Sequence, residues 1–438
     1  MRRFFVRLDV EDWLTPASTW ALDGILRLLA ERGLAAHFAV VGKKARQLAA
    51  SGRSDLLTRM AAQGVVGSHS WSHSEHPTLA EELDPLPAEA ARARLMEREQ
   101  PTVDVMTRLG VAPRFFTQPG GNWLPEVSGP AGRALGFEAV LSESWNSYLK
   151  PTRGPMWYGG LLYWAPVVDL PKGLFFRLPE PLAVQEGVQA LRAAWEAGRT
   201  AVLVAHPTEL VTTAFWDQRN FGGGVDHPPA LPGPARPAAA WQPALDGLAR
   251  MLDALGGPAG GPETVTLDQW LAAAVDPAPT HVSRDELAAV LRNQGLGPAR
   301  LPGGSLSAAD IAWALAAGEA GGGSDAAVPL VGPPAGHWPG GGAEGLLAAQ
   351  AAWGHLPASV AGQPLEEWVA RAAERLTGSA PRPTWQDAVR APAALHWDWP
   401  IFPPGFTAPR LLAEAQRIAW TLKPLVQRGD VAGAMAER

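Results

Sequence analysis

The steady alternation of short apolar runs with amphipathic stretches of helical period, over residues 1–275, constrains this chain more than any other feature in it. Strand, helix and strand in succession make β/α units, which bury a parallel sheet or barrel beneath a layer of helices. The runs with strand character are residues 4–8, 36–41, 65–68, 114–117, 138–141, 166–170, 201–205 and 264–266. Between the first two, Leu22, Ile25, Leu26 and Leu29 share one helical face, Ser18 or Thr19 stands where a cap belongs, and Gly33 ends the element. Residues 88–109 and 184–197 also read as helices, and Pro101 is expected to kink or divide the first of them. Seven or eight such strands predict an α/β barrel, regular or distorted.

A chain of 438 residues exceeds one ordinary domain. "DPAPTH", residues 276–281, is the expected linker between a larger β/α domain over 1–275 and a smaller, mainly helical domain over 282–438. In the latter, "ARLPGGSLSAADIAWALAAG" (299–318) and "GHLPASVAGQPLEEWVARAA" (354–373) share a Leu-Pro, a polar turn and an amphipathic helix. "IFPPGFTAPRLLAEAQRIAW" (401–420) is a third, looser version. Residues 219–240, rich in Gly and Pro, are expected to form a long loop.

Composition removes several function classes. A net charge of -6 with 18% charged residues leaves no basic footprint, so no nucleic-acid partner is expected. No apolar run is long enough to span a bilayer. In "MRRFFVRLDVEDW" charge returns at Arg7 and Asp9, so no signal segment forms; the expected location is the cytoplasm, or outside the cell if a leader has been removed. With no cysteine in the chain, any metal must sit on His, Asp or Glu.

"GSHSWSH", residues 67–73, sets His69 and His73 four apart after a strand. "LDVEDW" places Asp9, Glu11 and Asp12 at the C-terminal end of the first strand, where parallel β/α architectures gather catalytic groups. Two apart on extended chain, Asp9 and Glu11 point the same way. Two imidazoles and one carboxylate are the usual ligand plan of a hydrolytic metal centre, which also needs a base and an acid. Asp9 is a candidate base, and His206 of "AVLVAHPTEL", just past another strand, a candidate acid. Trp216 or Phe221 is a candidate for stacking on a substrate, with packing of the loop the expected role of any single tryptophan, and His76 is expected to be a turn residue.

In this order and spacing, "LDVEDW", "GSHSWSH", "FFTQPGGNW", "VVDLPKG" and "LVAHP" resemble the motifs of the polysaccharide deacetylase family, carbohydrate esterase family four, over residues 3–275. The resemblance implies a distorted (β/α)7 barrel of the glycoside hydrolase/deacetylase type. It implies a divalent metal, most often zinc, with cobalt, manganese, nickel or iron as alternatives. The implied reaction removes N-acetyl groups from chitin, peptidoglycan or a related glycan; some members cleave other non-peptide amides such as allantoin. Carried over by position, Asp9 matches the base and His69 and His73 the metal histidines. Glu11 matches the third ligand, with Asp12 as the competing choice. His206 matches the acid, Asp169 the carboxylate that orients it, and Gly120, Gly121, Asn122 and Trp123 the substrate-binding third motif. Where the family has an arginine that steadies the catalytic aspartate this chain has Thr117, and Arg114 falls on the opposite face of its strand. That departure keeps two other readings open: a hydrolase of a different amide, and a glycan-binding protein without turnover. The C-terminal repeats resemble pseudomurein-binding or other cell-wall-binding modules, which implies a wall polymer as second partner, with oligomerisation as the alternative.

Overall fold

The computed structural model describes residues 2–119, 125–141, 155–164, 168–256, 261–275, 279–321, 325–382, 399–406 and 418–429. The chain opens with β1 (Arg3–Val10), α1 (Ala17–Glu31), β2 (Ala36–Val40), α2 (Gly42–Ala50), α3 (Asp55–Gln63) and β3 (Gly64–Ser68). There follow α4 (Leu79–Leu83), α5 (Ala88–Arg108), β4 (Phe115–Phe116), α6 (Pro125–Ala134), β5 (Ala139–Leu141), β6 (Met156–Tyr158) and β7 (Leu161–Trp164). Next come α7 (Pro181–Glu196), β8 (Ala201–Ala205), α8 (Gln218–Phe221), α9 (Trp241–Ala254), β9 (Glu263–Thr264) and α10 (Leu267–Ala273).

Seven of these strands run parallel in the order β8-β1-β2-β3-β4-β5-β7. On a flat sheet β1 and β7, five spacings apart, would be separated by about 24 Å. The ring of Phe5 on β1 nevertheless lies 4.6 Å from that of Trp164 on β7. The sheet is therefore rolled into a distorted barrel, and beyond β7 the backbone N–H of Asp169 reaches the Val202 carbonyl of β8 at 3.3 Å.

Side-chain parity sorts the two faces. Phe4, Val6, Leu8 and Val10 of β1 pack outward on Leu22, Ile25, Leu26 and other helical residues, forming the core between barrel and helices. Phe5, Ala39, Val65, Phe115, Ala139, Leu162, Val202 and Val204 turn inward and fill the barrel with Trp164 and Trp270. Extending the inward series along β1 from Phe5 gives Arg7, then Asp9, and past the strand end Glu11; along β8 it gives His206.

Three local expectations changed. Helix α5 runs as one element through Pro101, since its packing on α2 and α6 outweighs the single lost N–H bond. "MWYGGLLYW" is an antiparallel hairpin of β6 and β7, turning on Gly159 (φ 57°) and Gly160 (φ 82°). Of the strand expected at 166–170, residues 166 and 167 lie outside the described residues and 168–170 are not strand.

A second core gathers around α11 (Arg284–Gln294), α12 (Ala308–Glu319), α13 (Gly342–Trp353) and α14 (Leu365–Thr377). The recurring sequence motif takes physical form here. Ala299–Leu301 with Gly304–Leu306, and Ser359–Val360 with Gln363–Pro364, are antiparallel pairs that each lead into a helix. The third version falls partly outside the described residues. The chain then returns to the barrel. Ile401 and Phe402 are buried with Trp216 and Phe221, Ile418 and Leu422 with Met156 and Tyr163, and Lys423–Pro424 pairs with β6. A linear division at 276–281 does not anticipate that return.

Candidate active site at the barrel rim

Strand ends β1, β3 and β8 bring Asp9, Glu11, His69, His73 and His206 to the C-terminal rim of the barrel. Glu11 Oε2 lies 2.8 Å from His73 Nε2 and 3.4 Å from His69 Nε2. Asp9 Oδ2 lies 3.6 Å from His206 Nε2 and 3.9 Å from His69 Nε2. All are buried except His206, whose side chain is 20% exposed and forms the opening to solvent.

The turn that carries the histidines is held open by unusual backbone. Ser70 (φ 64°) and His73 (φ 51°) are left-handed without being glycine, an arrangement that costs about 1–2 kcal/mol per residue and persists only where the surroundings enforce it. Beneath the turn, Gly67 leaves room for Phe115, whose ring atoms would lie 2.5 Å from an added Cβ.

Hydrogen bonds set the imidazole tautomers. The Thr117 carbonyl can only accept, so His69 donates to it from Nδ1 at 2.8 Å and its Nε2 keeps a lone pair. The Ser74 hydroxyl gives its one proton to Asp217 Oδ2 at 2.8 Å, an oxygen that also accepts from Trp399 Nε1 at 3.2 Å. Ser74 Oγ therefore accepts from His73 Nδ1, so a neutral His73 ring carries its lone pair on Nε2, whereas a protonated ring donates from Nε2 to Glu11 Oε2. With both rings neutral, two imidazole lone pairs and a carboxylate face one another in a buried space, each within 4.8 Å of the others. Mutual repulsion of that kind is relieved by a cation, and the N₂O donor set fits a divalent metal. Glu11's second oxygen is taken by Trp216 Nε1 at 2.8 Å.

The electrostatics follow from burial and these neighbours. Burial pushes the Glu11 carboxyl upward, but His73 and His206 outweigh it and hold it well below the usual range. Burial opposes the charge on Asp9 too, and Arg7 together with His69 and His206 more than compensates, lowering it. His206 is pulled down by burial and raised further by Glu11, Glu209 and Asp9, to about 10.

The other candidates among the described residues have partners of their own. Asp12 does not turn to the histidines: Oδ1 accepts from the N–H groups of Leu14 (3.0 Å) and Thr15 (2.8 Å), and Oδ2 from Thr208 Oγ1 (2.6 Å). Asp169, expected to orient His206, is instead bound by Arg199 (2.9 Å) and the Val202 N–H (2.8 Å) at the start of β8, the end of the strand away from His206. The carboxylate facing His206 is Glu209, with Oε1 3.5 Å from Nδ1. Trp216 and Phe221 are buried, 0% and 3% exposed, and present no stacking face. His76 sits between Glu81 and the Phe221 carbonyl, as a turn residue does. Gly120, Gly121, Asn122 and Trp123 lie outside the described residues. Arg114 pairs on the outer surface with Glu138 and Asp268.

A buried guanidinium beside Asp9 is a feature that sequence reasoning passed over. Arg7, fully buried, donates from one terminal nitrogen to Asp9 Oδ2 at 2.8 Å. A cation inside the apolar run "FFVRLDV", at the same parity as Asp9, was the available signal. For Glu209 the signal was its place three residues after His206.

Likenesses to solved structures are distant. A 4-alpha-glucanotransferase from Thermococcus litoralis aligns at 14% identity and TM-score 0.37, over 62% of this chain and 38% of that one. A CE4 family pseudoenzyme from Bacillus anthracis aligns at 14% and 0.29, over 47% and 55%. A family 4 carbohydrate esterase from Streptomyces lividans, in complex with acetate, aligns at 16% and 0.31, over 59% and 98%. This chain thus spans well under two thirds of the first two. No curated protein matches it in sequence. Residues 15–140, which include His69, His73 and Thr117, match the family model described as polysaccharide deacetylase.

Proposed function

We propose that this protein is a metal-dependent hydrolase that removes N-acetyl groups from an N-acetylated glycan. The observation that carries the reading is the convergence of Glu11, His69 and His73 on one buried point, with Asp9 and His206 beside it. Glu11, His69 and His73 would hold the metal, most suitably zinc, with cobalt, manganese, nickel or iron compatible with the same donors. Bound there, such a cation supplies Lewis-acid polarisation of the scissile carbonyl and of water.

The remaining steps fall to the chain. Asp9 Oδ2 is occupied by Arg7, while Oδ1 accepts no hydrogen bond from the described residues. Oδ1 is the oxygen that takes the proton from the attacking water. Glu11, Glu209 and Asp9 favour the protonated form of His206, which lies at the solvent opening. It passes that proton to the departing amine nitrogen, so that amide and water become acetate and a free amine. The Thr117 carbonyl and the Ser74–Asp217 pair keep the two ligand rings turned inward.

Acetate release from N-acetylglucosamine oligomers and peptidoglycan, by metal-loaded wild type beside Asp9→Asn and His73→Ala, tests this. Turnover that falls at least ~10²-fold in each variant is expected from loss of base or ligand. No release by a protein carrying one metal per chain would overturn the glycan reading; release from allantoin-like amides instead would move the substrate to a small amide.

A further inference from the structure

A guanidinium at 0% exposure inside a barrel otherwise filled by Phe5, Phe115, Trp164 and Trp270 needs a reason. Taking such a charge out of water costs several kcal/mol, and apolar residues of similar volume would usually serve stability as well or better. Arg7 stands two residues before Asp9 on β1, so both side chains leave the strand on its inward face. Its terminal nitrogen meets Asp9 Oδ2 at 2.8 Å, the same oxygen that His206 and His69 approach at 3.6 and 3.9 Å. All the positive groups around Asp9 thus crowd one oxygen. The other, Oδ1, is buried and accepts nothing from the described residues. A carboxylate on a short side chain has one soft torsion to settle, and a charged clamp on Oδ2 settles it.

We infer that Arg7 is the positioning residue of this site: it fixes the Asp9 carboxylate by one oxygen, so that the other is presented to the proton of the attacking water. The inference rests on the reading of Asp9 as base. Arg7 touches no reacting atom, and its contribution is to orientation, where displacement of about 1 Å costs on the order of 10²-fold in rate. Substrate binding and metal retention do not depend on it.

The test uses the full-length, metal-loaded chain with Arg7→Lys, Arg7→Met and Arg7→Ala, the last with and without millimolar guanidinium. A kcat about 10²-fold lower is expected in all three, with KM and metal per chain unchanged. Guanidinium should restore kcat of Arg7→Ala at least tenfold and leave wild type, Arg7→Lys and Asp9→Asn unaffected. Arg7→Lys keeps the buried charge, so it remains informative if the neutral variants do not fold. Full kcat in Arg7→Met or Arg7→Lys would overturn the inference, and so would a loss carried by KM or metal content with no guanidinium rescue. Activity in Asp9→Asn would instead overturn the reading of Asp9 as base, so the two failures are told apart.

Discussion

Glu11 and Asp12 are adjacent and acidic, yet the fold gives them opposite tasks. Glu11 continues the inward parity of β1 and meets both histidines, whereas Asp12 turns aside to tie down the loop N–H groups of Leu14 and Thr15 and the Thr208 hydroxyl. Glu11→Ala should therefore abolish metal retention on dialysis while leaving a folded protein. Asp12→Ala should keep one metal per chain and lower stability by about 1–3 kcal/mol, the cost of leaving buried donors unpaired. Metal analysis paired with urea unfolding separates the two, and metal loss in Asp12→Ala alone would reverse the assignment. Sequence spacing left this choice open because one residue of register changes the face a side chain occupies, and past a strand end the pleat no longer dictates it.

At the scale of elements, the histidine turn is pinned from behind by α5. Glu99 accepts from Ser68 Oγ and from the Trp71 N–H, each at 3.2 Å, so its carboxyl joins the two sides of the turn around His69 and Ser70. Burial is the largest influence on it and raises its pKa from 4.5 to about 7, against the opposing pull of Arg98. A carboxyl that binds its proton more tightly in the folded state contributes stability that is complete below the unfolded pKa and is lost as pH rises through the folded one. The loss therefore falls between pH about 4.5 and 7, and amounts to roughly 3 kcal/mol. Glu99→Gln has no proton to lose. It should match wild type near pH 5 and be the more stable at pH 8, as read from urea midpoints; parallel pH profiles would sink the idea. Elements differed in how far they could be read beforehand. The β1-α1-β2 unit was legible because its apolar positions are long and periodic. The β6–β7 hairpin went unread although "MWYGGLLYW" carries a Gly-Gly turn between apolar arms, since attention to β/α alternation hides an antiparallel insertion.

For the molecule as a whole, the decisive feature is that the chain leaves the barrel, builds a second core and comes back. Residue 402 is buried against the Trp216 and Phe221 side of the site, and the Gly223 and Gly224 N–H groups bind the carbonyls of Pro400 (2.8 Å) and Ile401 (3.1 Å). Trp420 belongs to the helical core, while its neighbours Ala419 and Ile418 belong to the cluster on β6 and β7. Two cores stitched in this way should unfold together: calorimetry is expected to record one transition, and Phe402→Ala to move all of it downward, by a stability loss of about 3–5 kcal/mol. Two transitions with only one displaced would contradict it. What the sequence by itself determined is the β/α order of residues 1–275, the inward parity that groups Asp9 with Glu11, the spacing of His69 from His73, and a likeness to the motifs of a known family. All of these depend on neighbours along the chain and on periods of two or four residues, which a sequence displays directly. Only the tertiary structure decided that Glu11 meets His69 and His73, that Asp9 lies beside His206, that Trp216 serves Glu11 from within, and that Trp399 reaches Asp217 from the far end of the chain. Those contacts join strand ends and loops far apart in sequence, and they exist because closing the sheet into a barrel brings its rim residues within a few ångströms, a distance that no local pattern encodes.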